Sequence, residues 1–161
     1  MNSLQRRAEG FTLIELVITL AILGLLATMA APLVELSARR SREQELRLAL
    51  REVRDAIDAY KLAVETGHVL AELGASGYPP TLMTLVDGVE DARAPDRRML
   101  YFLRRVPRDP FYPDASAPAD ETWGLRSYES PPDAPRPGDD VFDVYSYAEG
   151  VGLNGIPYRD W

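Results

Sequence analysis

Residues 10–36 decide the fold and read GFTLIELVITLAILGLLATMAAPLVEL. Nearly every residue from 11 to 34 is apolar, and Glu15 is the one charged side chain in that run. About 20 consecutive apolar residues suffice to cross the hydrocarbon core of a bilayer as an α-helix. The sequence therefore predicts a membrane-spanning helix over residues 11–35.

The ten residues ahead of this run are mostly polar and include Arg6 and Arg7, which favour a cytoplasmic N-terminus. Neither a secretory signal peptide nor a plain membrane anchor explains this apolar run well. A secretory signal peptide has a shorter apolar core followed by a cleavage site of small residues, whereas this run continues directly into a charged helical pattern. A plain membrane anchor explains neither Gly10 ahead of the run nor Glu15 inside it, because an unpaired carboxylate in hydrocarbon is costly.

The motif GFTLIE at residues 10–15 resembles the processing site of the type IV pilin and pseudopilin superfamily. The resemblance implies that a prepilin peptidase cuts between Gly10 and Phe11 and methylates the new N-terminal residue. In the family picture, Glu15 of one mature subunit meets the Phe11 amine of a neighbour and so sets the axial register of a filament. A protonated or snorkelling glutamate without a partner is the alternative interpretation of Glu15.

Pro32 also stands at the position of a helix proline in this family. A proline inside a helix removes one backbone hydrogen bond and kinks or loosens the preceding turn. The resemblance therefore implies a helix that curves or melts as it packs into a filament. Membrane helices also tolerate proline without such a role, and both interpretations stay open here.

Residues 33–66 continue a helical pattern in two parts. One face carries an apolar stripe formed by Leu46, Leu50, Val53, Ile57, Tyr60 and Val64. The opposite face carries oppositely charged pairs four residues apart, which predict a solvated surface: Glu43/Arg47, Arg51/Asp55, Arg54/Asp58 and Lys61/Glu65. Residues 38–45 lack a stripe and are expected to form a bare stalk, and Gly67 is expected to end the helix.

The rest of the chain predicts short elements joined by long loops. Thr81 can cap a short helix through Val86 that Gly88 ends. Eight of the 13 prolines fall between residues 107 and 137, which indicates an extended surface loop. Residues 122–128 and 141–147 alternate and are rich in aromatic and β-branched side chains, so both are predicted strands.

The order of these features resembles the major pseudopilin of the type II secretion system, above all in the segment Leu103–Phe111, which reads LRRVPRDPF. The resemblance implies an α+β fold in which a long N-terminal helix, half transmembrane and half amphipathic, packs on a small antiparallel sheet with long Pro-rich loops. It implies a leader at residues 1–10, a filament-core helix at 11–35, and a periplasmic stalk and globular domain at 36–161.

The same resemblance implies a structural subunit of a pseudopilus that drives protein export. The expected location is the bacterial inner membrane, crossed once, with the C-terminal domain in the periplasm. The expected partners are further copies of the chain, minor pseudopilins, the prepilin peptidase and an inner-membrane assembly platform.

Composition excludes several other classes of function. The chain has no cysteine, which excludes disulfides and thiolate metal sites. Its one histidine, His68, has no evident catalytic partner, and neither Ser127 nor Ser146 has a histidine at a plausible spacing. A net charge of −7 argues against nucleic-acid binding, since that requires cations to displace phosphate counterions.

Calcium is the one cofactor that the resemblance raises, since the family's major subunit binds it through an acidic C-terminal loop. Residues 148–161 of this chain carry few acidic side chains, so no metal is expected. Asp139, Asp140 and Asp143 are weak candidate ligands nearby. The C-terminal segment is expected to fold back by packing the three apolar side chains of Ile156, Tyr158 and Trp161 on the sheet.

Two alternatives remain. A type IV pilin or minor pilin would share the N-terminal motif but serve another machine, and the missing cysteines favour a pseudopilin because many pilins carry a C-terminal disulfide. An uncleaved, membrane-anchored binding module would instead present the aromatic and Pro-rich loops of residues 101–128 to a ligand.

Overall fold

A computed structural model describes residues 11–161 of the chain. The helices are α1 (Leu13–Glu65) and α2 (Thr84–Asp87), and the strands are β1 (Val89–Glu90), β2 (Met99–Leu100), β3 (Trp123–Arg126) and β4 (Asp143–Ser146). Single 3₁₀ turns occupy Asp120–Thr122 and Tyr158–Asp160. The chain divides into two compact units after Arg40. The predicted α+β class, with one long N-terminal helix and small antiparallel sheets, is confirmed.

The N-terminal unit consists of the apolar part of α1. Its large apolar side chains are more than half exposed: Phe11, Leu13, Ile14, Leu16, Val17, Ile18, Leu20, Ile22, Leu23, Leu25, Leu26, Leu33 and Val34. Within residues 11–161, α1 is the one helix whose length and composition would allow it to cross a membrane, a test that a signal sequence also passes. The helix runs on through Pro32, and the apolar side chains just named are not covered by any other residue that the structure describes.

The C-terminal unit is built on the amphipathic part of α1. Most of the predicted stripe is buried, with Leu46 and Val53 fully inaccessible and Leu50, Ile57 and Tyr60 less than a tenth exposed. Val64 is only partly buried. The core adds residues from α2 and from the later loops and strands: Val69, Leu82, Leu85, Leu103, Val106, Trp123, Val141, Val144 and Tyr158. The stripe therefore serves as the surface on which the rest of the unit packs, because burying apolar area is the main favourable term in folding.

The end of α1 follows the predicted glycine stop. Gly67 has a φ of 75°, in the left-handed region that favours glycine. Its N–H donates to the Val64 carbonyl at 3.0 Å, and the His68 N–H donates to the Ala63 carbonyl at 2.8 Å. This pair of bonds is a Schellman motif, which satisfies carbonyls that the end of a helix otherwise leaves open.

The strands form two separate two-stranded antiparallel sheets, β1–β2 and β3–β4. The sequence predicted β3 and β4, and both lie inside their predicted ranges, with Trp123 opposite Ser146 and Arg126 opposite Asp143. The β1–β2 hairpin was not predicted, since two residues per strand are too few to show an alternating pattern. In the larger sheet a Cβ on Gly124 would lie 2.3 Å from the Tyr145 ring, so this position requires glycine.

Two expectations about local structure need correction. Helix α2 begins at Thr84 rather than Thr81, although the Thr81 hydroxyl does accept the Thr84 N–H at 3.2 Å. The charged face of α1 is only partly solvated: Arg54 donates to Asp143 at 2.7 Å across the unit, and Glu43 is 4% exposed. The bare-stalk expectation for residues 38–45 is therefore wrong at Glu43, where α1 is already covered by the C-terminal unit.

Candidate functional site

The start of α1 is the first candidate site. Thr12 precedes the helix, and its hydroxyl accepts the backbone N–H of Glu15 at 3.3 Å. Thr12 thus caps α1, and Glu15 occupies the third position of its first turn, as in the Thr-x-x-Glu capping pattern. The helix dipole favours a carboxylate at this end. The glutamate that the motif singles out is exposed, one turn after the exposed Phe11.

Of the other residues predicted to act in this region, the structure describes only Pro32. Gly10 and the leader with Arg6 and Arg7 lie outside the described residues, so cleavage after Gly10 remains a prediction. Pro32 lies inside α1. Because proline has no N–H, it cannot donate to the carbonyl four residues earlier, and its role as a kink in a filament also remains a prediction.

Glu43, which was predicted to lie on the solvated face of α1, is buried instead. Its Oε1 accepts the Leu153 N–H at 2.9 Å and the Tyr158 hydroxyl at 2.9 Å. Both donors come from the C-terminal segment, so one buried carboxylate holds that segment against α1. Helical phase could have found it, because Glu43 precedes Leu46 by three residues and therefore lies on the buried stripe.

The C-terminal segment, residues 150–161, folds back as expected but with different contacts. Tyr158 is 4% exposed and stacks on Phe111 with ring centroids 4.5 Å apart. Trp161 packs beside it and lies under the Arg47 guanidinium, 4.3 Å from the ring centroid. Ile156 is 47% exposed, so its expected packing on the sheet is wrong. The segment is secured by aromatic stacking and by the Glu43 carboxylate.

The three weak calcium candidates do not converge. Asp140 accepts hydrogen bonds from the Ser76 hydroxyl and from the Tyr128 N–H. Asp143 accepts from Arg54 and from the Val144 N–H, while Asp139 is exposed. Across residues 11–161, no group of three or more histidine, aspartate or glutamate side chains could hold a metal ion. Asp140 instead links loop residues, and Asp143 links β4 to α1.

A buried acid–hydroxyl pair lies beneath the later loops. The Ser146 hydroxyl donates to Asp109 Oδ2 at 2.5 Å, and both residues are 1% exposed. Asp109 Oδ1 accepts the Phe111 N–H at 2.8 Å, and the Ser146 oxygen accepts the Ala148 N–H at 3.0 Å. This pair joins the loop that contains Asp109 to the end of β4, and its contacts are those of a structural link.

His68 has a partner that the sequence did not reveal. Its Nδ1 lies 2.8 Å from Oδ1 of Asp91, a residue that is 1% exposed, in the loop between β1 and β2. The hydrogen bond from His68, followed by that from the Arg93 N–H, lowers the pKa of the Asp91 carboxyl below its ordinary value of 3.8. The loop backbone also reaches the helix end, since the Ala92 N–H donates to the His68 carbonyl at 2.7 Å. The contact fastens the hairpin to the end of α1.

Comparisons with known proteins bear on the N-terminal motif and on the chain as a whole. Residues 5–31 match the family model described as the prokaryotic N-terminal methylation motif. The chain is 27% identical over 161 residues to the type II secretion system core protein G of Dickeya chrysanthemi, covering 98% of this chain and 85% of that relative.

Two further relatives are also named type II secretion system core protein G. The protein from Klebsiella pneumoniae is 29% identical over 113 residues, covering 68% of this chain and 73% of the relative. The protein from Aeromonas hydrophila is 28% identical over 113 residues, covering 66% and 70%. No solved structure matches the chain. The N-terminal methylation motif of the type IV pilin family, together with these relatives named type II secretion system core protein G, supports a G-type pseudopilin.

Proposed function

We propose that this chain is a structural subunit of a type II secretion pseudopilus. The observation that carries the proposal is the methylation motif at residues 5–31, which includes the exposed apolar start of α1. Similarity to type II secretion core protein G extends the argument to the C-terminal unit. The chain acts by assembly, and no catalytic role is proposed for its serines or carboxylates.

In this proposal the subunit is first inserted into the bacterial inner membrane. The precursor crosses the membrane once through the apolar part of α1, with residues 36–161 in the periplasm. A prepilin peptidase removes residues 1–10 and methylates the amine of Phe11. The mature chain then joins further copies and minor pseudopilins on an inner-membrane assembly platform, and growth of the filament pushes exported proteins outward.

The physical case for assembly rests on the exposed surface of α1. In the membrane that surface contacts lipid, and in a filament it exchanges lipid for neighbouring helices. Glu15 cannot lie alone in hydrocarbon at low cost. Cleavage supplies one new cation per subunit, the Phe11 amine, so pairing across subunits both neutralises the carboxylate and sets the axial register.

The net negative charge of the mature chain opposes assembly. Removing the leader leaves 16 basic and 24 acidic side chains, a net charge of −8. Subunits of like charge repel one another, more strongly at low salt. Assembly therefore depends on apolar packing of α1 and on local pairing of opposite charges.

The decisive experiment is the intact mass of the chain recovered from its native membrane. The proposal requires a chain that begins at Phe11 and carries one extra methyl group. A full-length mass beginning at Met1 would overturn it and favour the membrane-anchored binding module. As a control, Gly10→Ala is expected to block cleavage, and a mature-length product from that variant would place the cleavage site elsewhere.

A further inference from the structure

A groove on the C-terminal unit combines aromatic walls with two carboxylates. Tyr112, Tyr147 and Phe111 line it, and the rings of the two tyrosines are in tilted contact, with centroids 6.3 Å apart. Glu121 and Glu149 stand at its rim, and the cavity holds about 690 Å³. We call this feature the acidic–aromatic groove.

The two sides of the groove are held in place from below. Asp109 fixes the Phe111 backbone on one side, and Ser146 fixes the Ala148 backbone on the other. Because Asp109 and Ser146 are themselves hydrogen-bonded at 2.5 Å, both sides are tied to one buried pair. The groove is therefore organised before any ligand arrives, which lowers the cost of binding.

The chemistry of the groove favours a cation. Both glutamates are exposed, and neither carboxylate makes an ion pair within residues 11–161. Burial raises the pKa of the Tyr147 hydroxyl, so the tyrosine is neutral at pH 7 and the groove's negative charge comes from the glutamates. A guanidinium group suits such a site, because it stacks on aromatic faces and donates to carboxylates at once.

The same unit displays two cations that lack a partner. Arg104 and Arg105 are exposed, and their side chains make no hydrogen bond or ion pair with any described residue. They lie between Leu103 and Val106, which are 6% and 7% exposed. The Leu103 N–H also donates to the Leu85 carbonyl at 2.9 Å. The arginine pair is thus presented from a buried anchor rather than from a loose loop.

We propose that the acidic–aromatic groove of one copy of this chain binds Arg104 and Arg105 of a second copy. The groove and the arginine pair share no residue, so one copy can offer them to two different neighbours, and we propose that the contact is heterologous in this way. Such contacts generate open-ended filaments rather than closed dimers. This inference rests on the proposed pseudopilus function and assigns it an electrostatic contact in the C-terminal unit, in a chain whose net charge otherwise opposes assembly.

Cross-linking tests the contact directly, because the chain has no cysteine of its own. Glu149→Cys in one full-length copy and Arg105→Cys in a differently tagged copy are expressed together with the assembly machinery. A bifunctional thiol reagent is used, since an Arg–Glu contact leaves the backbones farther apart than the roughly 5.5 Å of a disulfide. We expect a cross-linked product that carries both tags. Glu129→Cys replaces Glu149→Cys in the control, and an equal yield from that pair would overturn the inference.

A charge exchange tests whether the contact matters for assembly. Glu149→Arg alone and Arg105→Glu alone are each expected to lower the sheared filament fraction about fivefold to tenfold, since like charges then face each other. The combined variant is expected to recover to within about twofold of the unmodified chain. Glu129→Arg and Arg136→Glu make the same charge changes at exposed positions outside the groove and serve as controls.

The outcomes separate this inference from the proposed function. Absence of filaments and of Phe11 processing in the unmodified chain would contradict the function itself. Normal processing and filaments, with no selective cross-link and no effect of the charge reversals, would overturn only the groove contact. Loss in both single variants with no recovery in the combined variant would likewise contradict direct pairing.

Discussion

At the scale of single residues, Glu43 shows how one buried carboxylate can organise a segment more than 100 positions away. It accepts hydrogen bonds from Leu153 and Tyr158 while being 4% exposed. A buried charge is tolerated only when its oxygens are well partnered. Glu43 therefore occupies a position on the apolar stripe because the C-terminal segment satisfies it, and the segment in turn is positioned by it.

Replacing Glu43 should destabilise the C-terminal unit. Glu43→Ala leaves two donors without their acceptor, and we expect a loss of about 2 to 4 kcal/mol in the free energy of unfolding. Tyr158→Phe removes one hydroxyl and should cost about 1 to 2 kcal/mol. Denaturant unfolding of the full chain in detergent, followed by tryptophan fluorescence, measures both. The exposed neighbour Glu45→Ala is the control, and an equal effect there would contradict the role given to Glu43.

At the scale of elements, the end of α1 is fixed by a local backbone motif and by contacts from the β1–β2 hairpin. The Schellman motif at Gly67 ends the helix through bonds within five residues. The His68–Asp91 contact and the Ala92 N–H then fasten the β1–β2 hairpin to that end. The hairpin strands have only two residues each, so they depend on this attachment for much of their order.

The helix stop is tested by Gly67→Ala. A Cβ at this position would meet no atom within 4 Å, so the substitution changes only the backbone preference at φ 75°. We expect a loss of about 1 to 2 kcal/mol in unfolding free energy, measured by thermal denaturation. Gly67→Asn should lose less, because asparagine tolerates the left-handed conformation better. A stability of Gly67→Ala equal to that of the unmodified chain would argue against the motif.

The hairpin attachment is tested by pH. Because the pKa of Asp91 is lowered in the folded chain, its ionised form stabilises the fold fully above the ordinary value of 3.8, and this contribution is lost as pH falls through the folded-state pKa. Asp91→Asn should therefore be less stable than the unmodified chain at pH 6, with a gap that narrows below pH 3.8. Asp96→Asn, in the same loop but exposed, should show no such gap. A stability difference between Asp91→Asn and the unmodified chain that does not change with pH would contradict the stabilising role given to the ionised Asp91.

At the scale of the whole molecule, we expect the apolar part of α1 and Glu15 to govern assembly. Glu15→Val keeps the run apolar, so we expect normal membrane insertion and Phe11 processing but a filament fraction reduced about tenfold or more, as for loss of a specifying buried charge pair. Immunoblots of membrane and sheared-filament fractions measure the two steps separately. Glu15→Asp retains the charge and should keep part of the assembly. Normal filaments from Glu15→Val would contradict the proposal that Glu15 sets the axial register of the filament.

The sequence by itself determined the features that depend on neighbours along the chain. These are the apolar run, the methylation motif with Glu15, the buried stripe of α1 and the glycine stop at Gly67. Each is a repeat or a short pattern, and its physics acts within about one to two helical turns. The superfamily could be predicted for the same reason, because its defining motif is contiguous.

Only the tertiary structure decided the pairings between distant positions. Arg54 turns from its helix neighbour Asp58 to Asp143, 89 residues away, and Asp109 pairs with Ser146, 37 residues away. That second pair joins the loop ahead of Tyr112 to the end of β4, next to Tyr147, and so helps to bring the two sides of the groove together. Such contacts depend on how the chain closes and on which buried polar groups must be satisfied once it has, and neither is encoded in local spacing.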